Sequence, residues 1–330
     1  VPTDKEFIKE AEAEGTEVIG ELELAYRYGN GKYVAITGTN GKTTTTTLVG
    51  EIFKEAGKKT EVVGNIGVAV MTKAMDVDDD TYLVTECSSF QLDTVVNFKP
   101  EISAVLNITP DHLDRHKTME NYANAKGKIF ANQGPEEYCI YNYDDEIVRE
   151  LVKNCKAKLI PFSRKREFEC SSAYVKNGNI VVRDGKFIFV VCRDDALKIP
   201  GLHNLENALA AAAISYFAGI KIDVIAKVLK TFKGVEHRIE DCGAVNGVKY
   251  INDSKGTNPD AAIKAVMSFR NILLIAGGYD KGASFDEFIA GFDGRVKTLI
   301  LMGVTAPKIK EAAERAGFTD IHMVKDMKEA

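Results

Sequence analysis

The sequence has no CxxC pair, no excess of positive charge and no long apolar run. Its six cysteines are scattered, which indicates neither a zinc site nor a disulfide framework and favours a reducing compartment. The 43 Lys and Arg against 48 Asp and Glu leave a net charge of -5. Such a balance argues against broad electrostatic capture of nucleic acid or of anionic membranes. Any phosphate-binding site must therefore be local.

Sequence signals for membrane insertion or secretion are also lacking. The longest nearly apolar stretch, residues 208–220, is interrupted by Ser215 and Gly219 and is too short for a transmembrane helix. Residues 1–15 are acidic and polar, unlike a secretory signal. We therefore expect a cytoplasmic protein without a membrane partner.

The composition is that of an ordinary globular protein. Hydrophobic residues make up 45% and charged residues 28% of the 330 positions. This length is enough for two domains, each with its own core. The chain opens with Val1 and stops at Ala330, in an apparent helix after a short strand predicted at 321–324. We therefore expect a piece of something longer.

The first half of the sequence alternates β-rich runs with segments long enough for crossover helices. The runs lie at residues 33–37, 61–63, 82–85, 102–107 and 138–141. This alternation is typical of an α/β fold with a largely parallel sheet. Between residues 173 and 191, three runs are joined by Asn177-Gly178 and Asp184-Gly185, dipeptides that suit tight hairpins. They predict a small antiparallel meander added to the sheet.

The second half predicts two helices and then another βα series. The helices are expected at residues 205–217 and 224–232, the second ending near Gly234. Strands are expected at 248–251, 272–276 and 298–302. We place a domain boundary near residues 234–237.

The strongest local motif is residues 37–44 (TGTNGKTT), between a predicted strand and a predicted helix. Glycines let the backbone curl so that successive N–H groups point at phosphate oxygens, and the helix N-terminus adds positive potential. Lys42 would reach the β- and γ-phosphates, and the Thr43 hydroxyl would bind Mg²⁺. Ile36 stands where the general pattern has its first glycine. A Gly-rich βα turn is the alternative, but strand, Gly-Lys-Thr and helix together favour nucleotide binding.

Three further residues could complete a metal site. Glu86 follows a predicted strand, where α/β nucleotide enzymes hold Mg²⁺, although such a residue is more often a solvated edge residue. Within the segment 109–116, His112 is the residue predicted to be a metal ligand or substrate contact. A helix-capping turn that begins at Thr109 would explain Thr109 to Asp111. His116 is expected at the surface, and Lys126, on a helical stretch, is by default on a solvated face.

These residues, in this order, resemble the Mur ligase family, which makes the peptide stem of bacterial cell-wall precursors. The family-wide motifs are residues 38–43 (GTNGKT), 65–67 (NIG), Glu86, 111–112 (DH), 125–126 (AK) and 201–207 (GLHNLEN). Four stretches narrow the resemblance to the D-glutamate-adding branch: 88–92 (SSFQL), 111–115 (DHLDR), 237–240 (HRIE) and 252–258 (NDSKGTN).

The resemblance implies an ATP-dependent ligase that joins D-glutamate to UDP-N-acetylmuramoyl-L-alanine through an acyl phosphate. Phosphorylation removes the negative charge of the carboxylate and installs a leaving group, so the protein's work is positioning and charge neutralisation. The implied partners are these small-molecule substrates, without nucleic acid or membrane. We expect a monomer.

The resemblance also implies roles for individual residues. Thr43 and Glu86 would bind a first Mg²⁺ and His112 a second, with Lys126 carbamylated by CO₂ into an anionic ligand and Lys42 on the phosphates. ATP contacts are implied for Gly38, Thr39, Asn40, Gly41, Lys42, Thr43, Thr44, Asn204, Asn207, Arg238 and Asp253. Contacts to the sugar-peptide substrate are implied for Asn65, Ser88 and Gln91, and to D-glutamate for Lys255, Thr257 and Lys281. Asn204 could equally cap the following helix.

Family members have three domains, which predicts the organisation of this chain. Residues 1–20 would be the remnant of a UDP-binding domain, 21–234 the central P-loop ATPase domain, and 235–330 an incomplete Rossmann-like domain. Arg238 and Asp253 would close on ATP about residues 234–237. Two alternatives remain: a folylpolyglutamate-synthase-like ligase, which residues 88–91 and 252–258 disfavour, and an ATP-binding fragment inactive through truncation.

Overall fold

The computed structural model describes residues 5–280, 282 and 284–330, and the chain divides by contact into two units. The first unit comprises residues 1–108, 118–198 and 205–232, and the second comprises residues 109–117, 199–204 and 233–330. Two short segments of the predicted central domain, 109–117 and 199–204, thus group with the second unit. The predicted domain limits themselves stay predictions.

The strands and α-helices of the described residues are numbered in chain order. The strands are β1 (Lys32–Thr37), β2 (Thr60–Gly64), β3 (Tyr82–Glu86), β4 (Ile102–Val105), β5 (Tyr138–Asn142), β6 (Lys158–Ser163), β7 (Ser172–Lys176), β8 (Asn179–Asp184), β9 (Phe187–Arg193), β10 (Glu240–Val245), β11 (Val248–Asn252), β12 (Ile272–Gly277), β13 (Val296–Met302) and β14 (Ile321–Met323). The helices are α1 (Glu6–Ala13), α2 (Glu21–Tyr28), α3 (Lys42–Glu55), α4 (Val70–Ala74), α5 (Ser89–Leu92), α6 (Leu113–His116), α7 (Met119–Gly127), α8 (Glu146–Leu151), α9 (Leu202–Phe217), α10 (Ile222–Thr231), α11 (Pro259–Met267), α12 (Asp286–Ala290) and α13 (Ala306–Arg315).

The first unit is built on one sheet with the strand order β2-β3-β1-β4-β5-β6-β7-β8-β9. Pairing is parallel from β2 to β7 and antiparallel between β7, β8 and β9. Asn177 and Gly178 both have positive φ, 49° and 72°, as a tight hairpin turn requires. The predicted α/β fold with a parallel sheet and an added meander is therefore confirmed. The sequence analysis missed β6, whose Pro161 lacks the amide donor usual in an interior strand.

The second unit contains a parallel sheet, β12-β13-β14, and a separate hairpin, β10-β11. The strands predicted at 248–251, 272–276 and 298–302 are observed and alternate with helices along the chain. The first of them, β11, pairs antiparallel with β10 and does not join the parallel sheet. The turn between them is Asn246-Gly247, with φ of 51° and 80°, a hairpin signal that the analysis overlooked. The helix expected at the end of the chain is also not observed, since residues 325–329 form bends and turns.

Helix α3 packs on the sheet through a buried apolar face. It begins at Lys42, directly after Gly41 in a left-handed conformation, and its apolar residues recur at helical spacing. Four of them are fully buried: Leu48, Val49, Ile52 and Phe53. Burying such side chains contributes about 1.5–3 kcal/mol each. This packing fixes α3 on the sheet and thereby fixes the loop before it.

Among the described residues, none of the helices has the length and apolar character that crossing a membrane requires.

Glu23 in α2 is a fully buried carboxylate that the sequence analysis did not single out. Its oxygens accept hydrogen bonds from the backbone N–H groups of Val96, Asn97 and Phe98 at 2.8–3.0 Å, and from Arg27 Nε at 2.7 Å. Burial alone raises the pKa of Glu23, but these donors outweigh it and hold the pKa below its ordinary value. Glu23 thus ties α2 to the segment that follows α5.

We expect Glu23→Gln to destabilise the protein at neutral pH by about 1–3 kcal/mol, since buried donors lose a charged acceptor. The lowered folded pKa means that the carboxylate contributes stability above its unfolded pKa, and that this contribution is lost as pH falls through the folded pKa. Urea unfolding at several pH values should therefore show a flatter acid limb for the variant. Glu12→Gln, on the exposed side of α1, is the matched control. Equal acid limbs for Glu23→Gln and the unsubstituted protein would contradict this account.

Candidate nucleotide and metal site

The predicted phosphate loop, residues 38–41, joins β1 to α3 and lies close against its neighbours. Gly41 has a φ of 83°, and a Cβ there would lie 2.3 Å from Asn207 Oδ1. A Cβ on Gly38 would lie 3.0 Å from the Cβ of Leu106. Both positions therefore require glycine, one for its backbone conformation and space, the other for close approach.

Positive charge collects on this loop. Lys42 Nζ donates hydrogen bonds to the carbonyl oxygens of Gly38 and Thr39, both at 2.9 Å. Amides at the start of α3 lack intrahelical acceptors, and the helix dipole adds positive potential there. An ammonium group beside a helix N-terminus is an arrangement that suits phosphate.

Glu86, at the end of β3, faces the start of α3. Glu86 pairs in register with Ile36 of β1, which brings the ends of the two strands to the same edge of the sheet. Its Oε2 accepts from Thr43 Oγ1 at 2.9 Å and its Oε1 from Asn65 Nδ2 at 3.1 Å. The side chain is only 2% exposed, so the solvated-edge alternative is wrong.

The Thr43 and Glu86 oxygens fit a magnesium ion. Mg²⁺ takes oxygen ligands in octahedral geometry at 2.0–2.1 Å, so adjacent ligand oxygens are separated by about 2.9 Å. Thr43 Oγ1 and Glu86 Oε2 lie 2.9 Å apart. A hydroxyl and a carboxylate at this separation can therefore occupy neighbouring positions around one ion.

Lys126 also reaches the phosphate loop. It lies on α7 and is 1% exposed, so the default expectation of a solvated face was wrong. Its Nζ donates to the Gly38 carbonyl at 2.8 Å and lies 4.6 Å from the ring centroid of Tyr122. The Tyr122 hydroxyl in turn lies 3.2 Å from Thr39 Oγ1. Helix α7 thus contributes a buried cation to the loop.

His112 belongs to the second unit of the chain. It has a φ of 53° and precedes α6, and its N–H donates to Asp111 Oδ1 at 3.0 Å. The alternative in which Thr109 caps a helix was wrong, because α6 begins only at Leu113. His116 is 7% exposed and not the surface residue expected. The metal-binding role of His112 stays a prediction.

The two asparagines of α9 have different surroundings. Asn207 is 5% exposed, and its Oδ1 accepts from Thr45 Oγ1 at 3.3 Å, beside Gly41. Asn204 lies inside the first turn of α9 and does not precede it, so it is not the cap residue. Its Nδ2 donates to the Pro200 carbonyl at 2.7 Å. Asn207 is thus brought to the phosphate loop.

In the second unit, Arg238 has a buried Nε that forms no hydrogen bond within the part of the chain that the structure describes. A buried guanidinium donor without an acceptor suits an anionic ligand. Burial raises the pKa of nearby Asp253, although the Ile239 N–H and the Arg238 charge oppose this. Lys255 and Thr257 are exposed, and Lys281 lies outside the described residues.

Ser88 and Gln91, predicted to bind substrate, have a structural role at α5. The Gln91 N–H donates to Ser88 Oγ at 3.2 Å, and the Ser88 N–H donates to Gln91 Oε1 at 3.0 Å. These bonds form a capping box, which fixes the N-terminus of the helix. Their contact with substrate stays a prediction.

Sequence reasoning missed Asn107, whose side chain is hydrogen-bonded to the backbone of the phosphate loop. It also missed Tyr122, which contacts both the loop and Lys126. An asparagine at the end of the strand predicted at 102–107 was the available signal for Asn107. Tyr122 lies four positions before Lys126 on one helix, a spacing that places both side chains on one face.

Two family descriptions match the chain over most of its length. Residues 36–215 match the Mur ligase middle domain, and residues 237–330 match the family described as Mur ligase, glutamate ligase domain. The chain belongs to the Mur ligase family.

Curated relatives and solved structures agree with this assignment. The chain is 54% identical to the UDP-N-acetylmuramoylalanine--D-glutamate ligase of Alkaliphilus oremlandii and 51% identical to that of Clostridioides difficile, covering 100% of this chain and 73% of each relative. The fold is similar to that of MurF from Acinetobacter baumannii, with a TM-score of 0.73 at 19% identity over 94% of this chain and 71% of that one. For MurC from Thermotoga maritima the TM-score is 0.66 at 18% identity, over 99% and 75%.

We expect Gly41→Ala to weaken nucleotide binding at least tenfold, because the new Cβ would lie 2.3 Å from Asn207 Oδ1. A left-handed φ also costs a non-glycine residue about 1–2 kcal/mol. Gly57→Ala is the matched control, since Gly57 has a φ of 75° but no described atom within 4 Å of the added Cβ. Calorimetric titration with ATP checks this, and equal affinities for the two variants would contradict it.

Proposed function

We propose that this chain is part of an ATP-dependent ligase that adds D-glutamate to UDP-N-acetylmuramoyl-L-alanine. The observation that carries the proposal is the hydrogen-bonded pair of Thr43 and Glu86 beside Lys42 at a helix N-terminus. The substrates are proposed from two relatives named as this ligase, to which the whole chain is 54% and 51% identical. Those names favour this reaction over a folylpolyglutamate-synthase-like one.

The first step activates the carboxylate of the muramoyl-alanine substrate. Its oxygen attacks the γ-phosphorus of ATP, ADP leaves, and an acyl phosphate forms. The neutral amine of D-glutamate then attacks the acyl carbon, phosphate leaves, and the nitrogen releases one proton as the amide forms. In this sequence the protein holds the phosphates and neutralises the charge that develops on them.

Individual residues of the first unit supply this electrostatic work. Lys42 and the amides at the start of α3 hold the phosphates, and the glycine backbone lets these donors approach closely. Thr43 Oγ1 and Glu86 Oε2 would hold Mg²⁺, which supplies further positive charge at the β- and γ-phosphates. The bond from Asn65 to Glu86 orients the carboxylate towards Thr43. These residues thereby favour transfer of the phosphoryl group.

Lys126 is proposed as a carbamylated lysine beside a second Mg²⁺. An ammonium that is 1% exposed is costly to bury. Carbamylation by CO₂ would replace that cation with an anionic group able to hold a metal. His112, in the second unit, is proposed separately as a metal ligand. The supporting observation is that Lys126 Nζ already lies at the phosphate loop, 2.8 Å from the Gly38 carbonyl.

Residues of the second unit are proposed to bind D-glutamate, and also the ribose and a phosphate of ATP. The buried Nε of Arg238, which has no partner among the described residues, supports a phosphate contact. Asp253 would accept from ribose hydroxyls, while Lys255, Thr257 and Lys281 would meet the carboxylates of D-glutamate. We further propose a monomeric enzyme of the cytoplasm, a reducing compartment that suits its six free cysteines.

The proposed reaction predicts ADP release that requires both UDP-N-acetylmuramoyl-L-alanine and D-glutamate. Lys42→Ala should lower this rate about 10²–10³-fold, because a donor to the transferring phosphoryl group is lost. Lys54→Ala, exposed near the end of the same helix, serves as the control. A coupled ADP assay measures both variants. Turnover with folate and glutamate instead, or none with the proposed substrates, would overturn the proposal.

The carbamate proposal predicts that Lys126→Ala loses activity and regains part of it with short-chain carboxylates, which can replace the missing anion. Lys128→Ala is the matched control, because Lys128 lies two positions away and donates to the Asp93 carbonyl. It should keep its activity and not respond to carboxylate. Assays with and without acetate or formate decide this, and an active Lys126→Ala variant would count against the assignment.

A further inference from the structure

We propose that Asn107 is a positioning residue that sets the orientation of the phosphate loop, a role that rests on the proposed function. Asn107 lies two residues after the end of β4. Its side chain is hydrogen-bonded to both the N–H and the carbonyl group of Asn40. The Asn40 N–H donates to Asn107 Oδ1 at 2.8 Å, and Asn107 Nδ2 donates to the Asn40 carbonyl at 3.0 Å. The Thr39 N–H donates to the Asn107 carbonyl at 2.8 Å.

These bonds orient the two peptide units whose carbonyl groups accept hydrogen bonds from Lys42 and Lys126. The unit joining Gly38 to Thr39 has its carbonyl bonded to Lys42 and Lys126, and its N–H bonded to the Asn107 backbone. The unit joining Thr39 to Asn40 has its carbonyl bonded to Lys42, and its N–H bonded to the Asn107 side chain. The side chain of Asn107 therefore controls the second unit, and with it one anchor of Lys42.

The loop needs such a constraint because it is rich in conformational freedom. Asn40 lies between Gly38 and Gly41, with φ of 155° and 83°, and glycine backbones lose more entropy on ordering than others. The Thr39 and Asn40 amides both donate to Asn107, which fixes the direction in which these two peptide units point. Asn107 thus limits the conformations open to the loop.

Asn107 is itself held rigidly by the sheet. Asn142, at the end of β5, donates from Nδ2 to the Leu106 carbonyl at 2.9 Å and is 3% exposed. Asp145 Oδ2 accepts from the Ile108 N–H at 2.8 Å. The Leu106 N–H donates to the Thr37 carbonyl at 3.0 Å. The residues on either side of Asn107 are therefore fixed, so its side chain can act as a fixed support.

Removing the side chain tests this role. We expect Asn107→Ala to bind ATP about tenfold more weakly, as the loss of two hydrogen bonds predicts. The KM for ATP should rise while the KM for D-glutamate stays unchanged. Asn132→Ala is the matched control, since Asn132 Nδ2 also donates to two backbone carbonyls of the same unit, those of Val96 and Phe98. It should leave both KM values unchanged.

Asn107→Asp is a second, more conservative test. Its ionised carboxylate keeps the acceptor for the Asn40 N–H but places a second oxygen against the Asn40 carbonyl. Because an aspartate is ionised at neutral pH, this variant should bind ATP at neutral pH about tenfold more weakly than the unsubstituted protein. Calorimetric titration measures both affinities.

The outcomes distinguish the two proposals. Unchanged ATP affinity in Asn107→Ala or in Asn107→Asp would overturn the role of Asn107 even with full ligase turnover. Should Asn107→Ala fail to fold, the ATP affinity of Asn107→Asp at neutral pH decides alone. Weakened ATP binding without any turnover of the proposed substrates would instead support Asn107 and overturn the proposed reaction.

Discussion

The Gly38 carbonyl oxygen accepts hydrogen bonds from two ammonium groups, those of Lys42 and Lys126. The rest of the site depends on this convergence, because the two lysines come from different helices and meet at one backbone atom. The loop can present that carbonyl only if its backbone runs close to β4, which Gly38 permits. Two cations so close together favour an anion nearby.

Charge in the site is balanced locally and not by the chain as a whole. The protein carries a net charge of -5, yet its phosphate loop gathers Lys42, Lys126 and a helix N-terminus. Glu86, at the end of β3, is buried and accepts hydrogen bonds from Thr43 and Asn65. Buried groups of both signs therefore contact residues 38–43.

Several features of the site could be predicted from the sequence because they are local. The motif at residues 37–44 predicts the strand, loop and helix start, and the dipeptides Asn177-Gly178 and Asp184-Gly185 predict the meander. The same rule applied to Asn246-Gly247 would have found the hairpin β10-β11. For Lys126, family resemblance predicted a place in the site, whereas its helical position alone predicted a solvated face.

The sequence by itself determined the α/β fold, the strand, loop and helix around residues 37–44, and the family, since each rests on short-range patterns. Tertiary structure alone decided which side chains meet. Asn107 and Asn40 are 67 positions apart, and Asn207 and Thr45 are 162 apart. The burial of Glu23, His116 and Lys126 was likewise invisible in composition or periodicity. The reason is physical: contacts between distant segments depend on how strands order in the sheet, which no local pattern records.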